Sequence, residues 1–164
     1  MALPDDVVIR RGVPQDAEQM GRLHVDVWED AYTGLVPQQI LDERRDTVAE
    51  RVDRWRDIFG QERPTWVAED GGLLVGFSGS GPARDNDVDI DLELYALYVR
   101  AACYGTGVGF ALFEQAVGDR ACYLWVLANN ERAIGFYERQ GFRLDGTEDE
   151  HDEGLHVRMV RAGT

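Results

Sequence analysis

Three glycines on alternate positions, Gly105, Gly107 and Gly109, follow an apolar run that ends at Leu97-Tyr98-Val99. A helical pattern begins at about Thr106, so a strand must deliver the backbone to a turn and a helix must start at once. Glycine has no Cβ, which lets a ligand approach the backbone closely. The first N–H groups of a helix have no partner within it. With the positive end of the helix dipole they make an anion site suited to a phosphate or pyrophosphate. A turn that only redirects the chain would use the same glycines. A P-loop is excluded, because it needs a Lys after the last Gly, and all 17 Lys+Arg residues are Arg. A dinucleotide fold is a poor match, because its G-x-G-x-x-G belongs to the first strand–helix turn. Here the third Gly comes one residue early and the motif lies late in the chain.

Composition narrows the function classes. The 164 residues are expected to form one domain, 1–164, with a sizeable core. No apolar run is long enough to span a membrane, and the first residues do not resemble a signal peptide. Cys103 and Cys122 are expected to be reduced thiols, which suits a cytoplasmic protein. No His/Cys cluster has zinc-ligand spacing, so no metal is expected. A net charge of −14 argues against a nucleic-acid partner. It is compatible with steering of a cationic substrate, although solubility alone accounts for it.

The coarse order of elements follows from periodicity and breakers. Val7 to Arg11 reads as a strand, and a helix opens at Pro14 and runs to about Asp30. His24 falls within it and is read as structural. Gly34 and Pro37 break the chain, and a polar helix of about Leu41 to Phe59 follows, its charges read as a solvated face. Thr65–Glu69 and Leu73–Ser80 form an antiparallel hairpin. Ile90 to Val99 is a long strand, apolar on both faces and therefore central. Thr106 to Val117 is the helix after the glycines, and Cys122 to Leu127 is the next strand. Asn129 or Asn130 caps a further helix that Gly141 stops. Phe142–Gly146 and Leu155–Val160 close the sheet, with a solvated loop, Asp145 to Glu153, between them that holds six acids in nine positions.

Downstream of the glycines the sequence reads Asn130-Glu131-Arg132-Ala133-Ile134-Gly135-Phe136-Tyr137, and later Gly141-Phe142. These positions match N-x-x-A-x-x-F-Y-x-x-x-G-F, and Tyr104 to Gly109 matches R/Q-x-x-G-x-G/A. Both motifs, in this order and spacing, resemble the GNAT superfamily of acyl-CoA-dependent N-acetyltransferases over about residues 91 to 147. The W-x-x-A-Y-x-G-L-x-P pattern from Trp28 to Pro37 resembles a subset of the same family. Tyr104 departs from the pattern, standing where the family commonly has Arg or Gln.

The resemblance implies an α/β fold of the α+β kind. Its centre is a mixed, mostly antiparallel sheet of about six or seven strands flanked by about four helices. It implies acetyl-CoA as co-substrate and a small-molecule or peptide amine as acceptor. The cofactor-binding residues it implies are Tyr104, Gly105, Thr106, Gly107, Val108 and Gly109 for the pyrophosphate. Backbone groups of Leu97 and Val99 would pair with the pantetheine arm. Asn130 and Tyr137 are seven apart, hence on one helix face about 10 Å apart, with small Ala133 between them. The arm would pass over Ala133, and Tyr137 would protonate the departing thiolate. A bulge in the central strand would splay the sheet there.

Glu93, an acid in an apolar strand, is the expected general base, its pKa raised by burial; Glu69 is a weaker candidate. Trp28 and Tyr32, one turn apart, are expected to contact the acceptor, and the acidic loop is a candidate for attracting its amine. Direct attack in a ternary complex needs no acyl-enzyme. The alternatives are a catalytically silent CoA-binding or regulatory domain on the same fold, and a nucleotide-dependent oxidoreductase. The acceptor's identity is open, as is the choice between monomer and the homodimer common in the family.

Overall fold

The central strand sets the architecture. In the computed structural model, which describes residues 2–163, it is β4, Leu92–Val99. Before it come β1 (Val7–Arg11), β2 (Thr65–Asp70) and β3 (Leu73–Pro82); after it come β5 (Cys122–Leu127), β6 (Arg143–His151) and β7 (Gly154–Arg161). They form a seven-stranded sheet in the order β1-β2-β3-β4-β5-β7-β6. The β4–β5 pair is parallel and its neighbours are antiparallel. The sheet is thus mixed and mostly antiparallel, as expected.

Among the described residues five α-helices cover it: α1 (Ala17–Tyr32), α2 (Gln38–Asp46), α3 (Val48–Phe59), α4 (Val108–Ala116) and α5 (Glu131–Arg139). Successive residues of a strand point to opposite faces, and β2 shows the consequence. Val67 packs with Met20, Leu23 and Trp55 of α1 and α3, whereas Ala68 packs with Val108 and Leu112 of α4. On the α4 side, Phe113 and Tyr137 share a core with Leu124 and Met159, which brings α5 against β5 and β7.

Several boundaries differ from the sequence reading. The single helix expected from Leu41 to Phe59 is two, parted at Thr47 (φ −108°, ψ 25°). The Thr47 hydroxyl donates to the Glu43 carbonyl at 2.9 Å, a local bond that competes with helix continuation. The glycine helix starts at Val108 rather than Thr106, because Gly107 has φ 93°, outside helical space for an L-residue.

The acidic stretch expected as a loop is strand β6, paired with β7 at Glu148↔Val157, Asp149↔His156 and Glu150↔Leu155. Its carboxylates suit an edge strand, where charge discourages pairing with another chain. Gly146 (φ 88°) sits in a bulge of this strand. Buried Arg158 fills the space behind it, bonding Asp145 at 2.6 Å, Asp85 at 2.9 Å and Asp87 at 2.7 Å. That clamp ties the segment between β3 and β4 to Arg158 of β7.

Two irregularities of β4 create the site. Gly79 faces Ala96 and Ser80 faces Leu94, so Tyr95 is an extra residue, a bulge of the kind expected. The pairing of β4 with β5 covers Glu93↔Tyr123 and Leu94↔Leu124 and stops there. β5 continues with β7 as far as Leu127. Beyond Leu94 the two strands therefore part, and β4 has an open edge.

Candidate active site

Backbone direction along that edge is fixed by one bond. The Arg100 N–H donates to the Val75 carbonyl of β3 at 2.8 Å. Amides alternate sides along a strand, so Leu97 and Val99 present theirs to the open edge. A cavity of about 470 Å³ lies where the strands part, bounded by Leu94 to Tyr98 on one side and Leu124 to Leu127 on the other. A narrow space of about 60 Å³ continues along Leu97, Val99, Ala133 and Tyr137. It leads to a hollow of about 390 Å³ over Tyr104, Gly105, Gly107 and Gly109. Shared walls, among them Val99, Ala133 and Tyr137, make these one groove from the glycine turn to the cavity.

The turn fits a phosphate. Gly105 has φ 75°, and a Cβ built there meets nothing within 4 Å. The α4 N-cap is Gly107, which has no capping side chain, so the N–H groups of Val108 and Gly109 look outward from an uncapped helix start. Two residues of the expected set turn their side chains to the protein itself. The Val108 side chain is buried in the core with Ala68 and Leu112. The Thr106 hydroxyl donates to the Cys103 carbonyl at 2.6 Å. The Tyr104 ring lies under the Arg132 guanidinium, 3.7 Å from ring centroid to charge. Arg132 borders all three parts of the groove. Cys103 also borders the hollow, and burial pushes its thiol above the ordinary value, which keeps it protonated.

Tyr137 stands where the narrow space opens into the cavity. Its side chain is buried, packed edge-on against Phe136 and Phe142. Its hydroxyl makes no hydrogen bond to the described residues. Burial, and secondarily Tyr32, raises its pKa, so it holds its proton. Asn130 is the α5 N-cap: its Oδ1 accepts from the Ala133 N–H at 3.2 Å, and the residue borders the cavity. Trp28 and Tyr32 form the opposite wall, edge to face with centroids 4.8 Å apart. The Tyr32 hydroxyl is 2.7 Å from that of Tyr98, across the seam between α1 and β4.

Glu93 is the expectation that the structure corrects. It is buried, and desolvation alone would push its pKa up as expected. The Arg84 side chain, the Tyr123 hydroxyl and the Arg84 N–H outweigh that and hold it below the ordinary glutamate value. Arg84 grips both carboxylate oxygens, at 3.1 and 2.6 Å, and Tyr123 donates at 2.8 Å. The carboxylate is tied into an ion pair and does not border the cavity; Arg84 does. Glu69 is also committed, to Arg10 at 3.0 Å.

His24 is confined among Trp28, Trp55, Phe77 and Tyr98 rather than in the cavity. Its Nδ1 accepts from the Trp55 indole N–H at 3.1 Å.

The groove also gathers residues that the motifs did not single out. Arg44 of α2 reaches the cavity from a helix expected to be merely solvated. From the strand end and turn between β6 and β7 come His151 and Glu153, with His156 of β7. Of the acidic segment, Glu153 is the acid that borders the cavity. Its charge density was visible in the sequence; which carboxylate faced inward was not.

Three comparisons align with this geometry. Residues 61–144 match the model of the acetyltransferase (GNAT) domain family. The chain is 30% identical over 151 residues to "Probable N-acetyltransferase Rv2775" of Mycobacterium tuberculosis, covering 87% of this chain and 83% of that protein. It is 28% identical to the uncharacterized N-acetyltransferase YuaI of Bacillus subtilis, over 96% of this chain and 91% of that one. Its fold superposes on PaiA N-acetyltransferase of Thermoplasma acidophilum, solved in complex with coenzyme A, with a TM-score of 0.69 at 18% identity, covering 96% of this chain and 99% of that one. Among the described residues, no group of His, Cys, Asp and Glu is placed to hold a metal ion, and no helix is long and apolar enough to cross a membrane.

Proposed function

This chain belongs to the GNAT acetyltransferase family, and from that premise we propose that it moves an acetyl group from acetyl-CoA to a primary amine by direct attack. The observation that carries the reading is the Tyr137 hydroxyl, a retained proton without a protein partner at the junction between the narrow groove and the cavity. A phosphorylated donor with a long arm supplies the activated acyl group when bound. Gly105, Gly107 and the first N–H groups of α4 hold its pyrophosphate. Arg132, resting on Tyr104, adds the positive charge that the turn itself lacks. The open edge at Leu97 and Val99 pairs with the arm's amides, as an added strand would.

The chemistry then falls at the Tyr95 bulge. The amine loses a proton and its nitrogen bonds to the acyl carbon. As the carbon–sulfur bond breaks, Tyr137 gives its proton to the sulfur. Glu93 has no part in this, since Arg84 and Tyr123 occupy its oxygens. The groups facing the cavity that can take the amine's proton, directly or through water, are Glu153, His151 and His156.

Calorimetric titration with acetyl-CoA and CoA, followed by thiol release with amines, tests the reading. Binding of both ligands with amine-dependent release supports it. Binding without release from any amine points to a silent CoA-binding domain. Binding of neither removes the assignment of the glycine turn.

A further inference from the structure

The cavity's charge runs against that of the whole protein. The chain carries a net charge of −14, yet the wall opposite β4 is cationic. Arg44 lies half-buried against the Trp28 ring, 3.3 Å from charge to centroid, on the cavity wall. Its guanidinium makes no hydrogen bond and no ion pair with the described residues. Two further arginines, Arg51 and Arg54, stand near it. Arg51 sits behind it, its Nε buried without a partner and its pKa lowered to about 10, by burial first and then by Arg44 and Arg54. Burial lowers the Arg44 pKa most; the fields of Tyr98, Glu153 and Tyr32 work against that, and Arg54 adds to the lowering.

Other arginines that are partly or fully buried have their charge met within the protein. Arg10, Arg45, Arg84, Arg100 and Arg158 are each paired with a carboxylate at 3.0 Å or closer. A half-buried guanidinium backed by two others gains most from an anion that arrives with the ligand, because a fork of N–H donors matches a carboxylate bidentately. The same cavity is bordered by Glu153, from the turn between β6 and β7, a carboxylate whose field raises the Arg44 pKa. The two walls therefore offer a cation site and an anion site to one small molecule, with Tyr32, Tyr98 and Trp125 between them as apolar surface.

We propose that the acceptor is an amine that also bears a carboxylate, an apolar or aromatic amino acid, and that Arg44 is the residue that selects it. This rests on the acetyl-transfer reading. Arg44 touches the substrate's carboxylate, Glu153 faces its ammonium, and the aromatic wall takes its side chain. Arg51 and Arg54 raise the local potential without touching it.

The test compares L-phenylalanine with phenethylamine and L-phenylalaninamide as acceptors, by thiol release at fixed acetyl-CoA. The wild type should prefer the amino acid by about ten- to hundredfold in kcat/KM, the range of a charge-assisted hydrogen-bonded pair. Arg44→Gln should bring that ratio close to one through KM, with the KM for acetyl-CoA retained, and Arg44→Lys should restore part of it. Equal or better use of phenethylamine by the wild type overturns the proposal, as does a ratio unmoved in Arg44→Gln. If none of the three turns over, the CoA-loaded protein is titrated with N-acetyl-L-phenylalanine and N-acetylphenethylamine; tighter binding of the first supports the proposal, and its absence overturns it. Failure of acetyl-CoA itself to bind defeats the transferase reading, a result distinct from any of these.

Discussion

The hydroxyls of Tyr32 and Tyr98 lie 2.7 Å apart, joining the end of α1 to the strand that opens the sheet. Burial raises both: Tyr98 to about 12 and Tyr32 well above its ordinary value. Both are therefore neutral at working pH, and one hydroxyl donates to the other.

Tyr98→Phe should lower stability by about 1 kcal/mol, because it leaves the Tyr32 hydroxyl without its partner in a largely buried setting. Urea unfolding checks this as a lower midpoint at unchanged m-value. The same substitution loosens the wall beside the acceptor, so KM for the amine should rise more than kcat falls. An unchanged midpoint shows that the pair contributes nothing net.

Tyr137→Phe removes a proton donor and little packing. If Tyr137 protonates the leaving sulfur, kcat should fall by about a hundredfold or more while acetyl-CoA affinity is retained. Its raised pKa gives a second signature: the group holds its proton past pH 10, the ordinary tyrosine range, so it adds no descending alkaline limb below that pH. Stopped-flow turnover and calorimetry separate the two readouts. Unchanged kcat would remove Tyr137 as the acid.

Arg132→Gln tests whether the guanidinium over Tyr104 compensates for the aromatic residue at the head of the turn. Losing one charge-assisted phosphate contact should weaken CoA binding by about tenfold at low salt. It should also flatten the salt dependence, since one screened ionic contact is gone. A parallel salt dependence in the two proteins would place Arg132 outside the phosphate site.

These residues differ in how far the sequence discloses them. Strands β1 and β5 are legible to their ends because their apolar runs stop at glycine, asparagine or charged breakers within one or two residues. Asn130 and Tyr137 were legible because helical spacing fixes a common face whatever the tertiary structure. The pairing of Glu93 is not legible in the sequence, because its partners are distant along the chain. Arg84 precedes it by nine residues and Tyr123 follows it by thirty, and neither contact leaves a local pattern. Arg44 shared the i, i+4 charge texture of an exposed helix; only the fold shows that this one charge turns inward while Arg45 pairs with Asp26 and Glu29 outside. The acidic strand β6 looks like a loop in the sequence because charge density outweighs alternation in a chain segment, whereas an edge strand tolerates both.

His24 supplies a pH dependence of stability. Its pKa is lowered from 6.5 to about 3, by burial first and then by Arg51, Arg44 and Arg54. Between those values the unfolded chain binds a proton that the native protein refuses, so stability is complete above about pH 6.5 and falls as the pH drops through the window. At pH 5 the loss from this group should be roughly 2 kcal/mol, at about 1.4 kcal/mol per unit. Urea melts at pH 7, 6 and 5 measure it in a range where most carboxylates remain ionised. His24→Gln removes the titrating group and keeps an acceptor within reach of the Trp55 indole N–H. It should be less stable than the wild type at pH 7, yet lose less between pH 7 and 5. Equal losses in the two proteins would show that His24 is protonated in the folded state, and that its aromatic surroundings admit water.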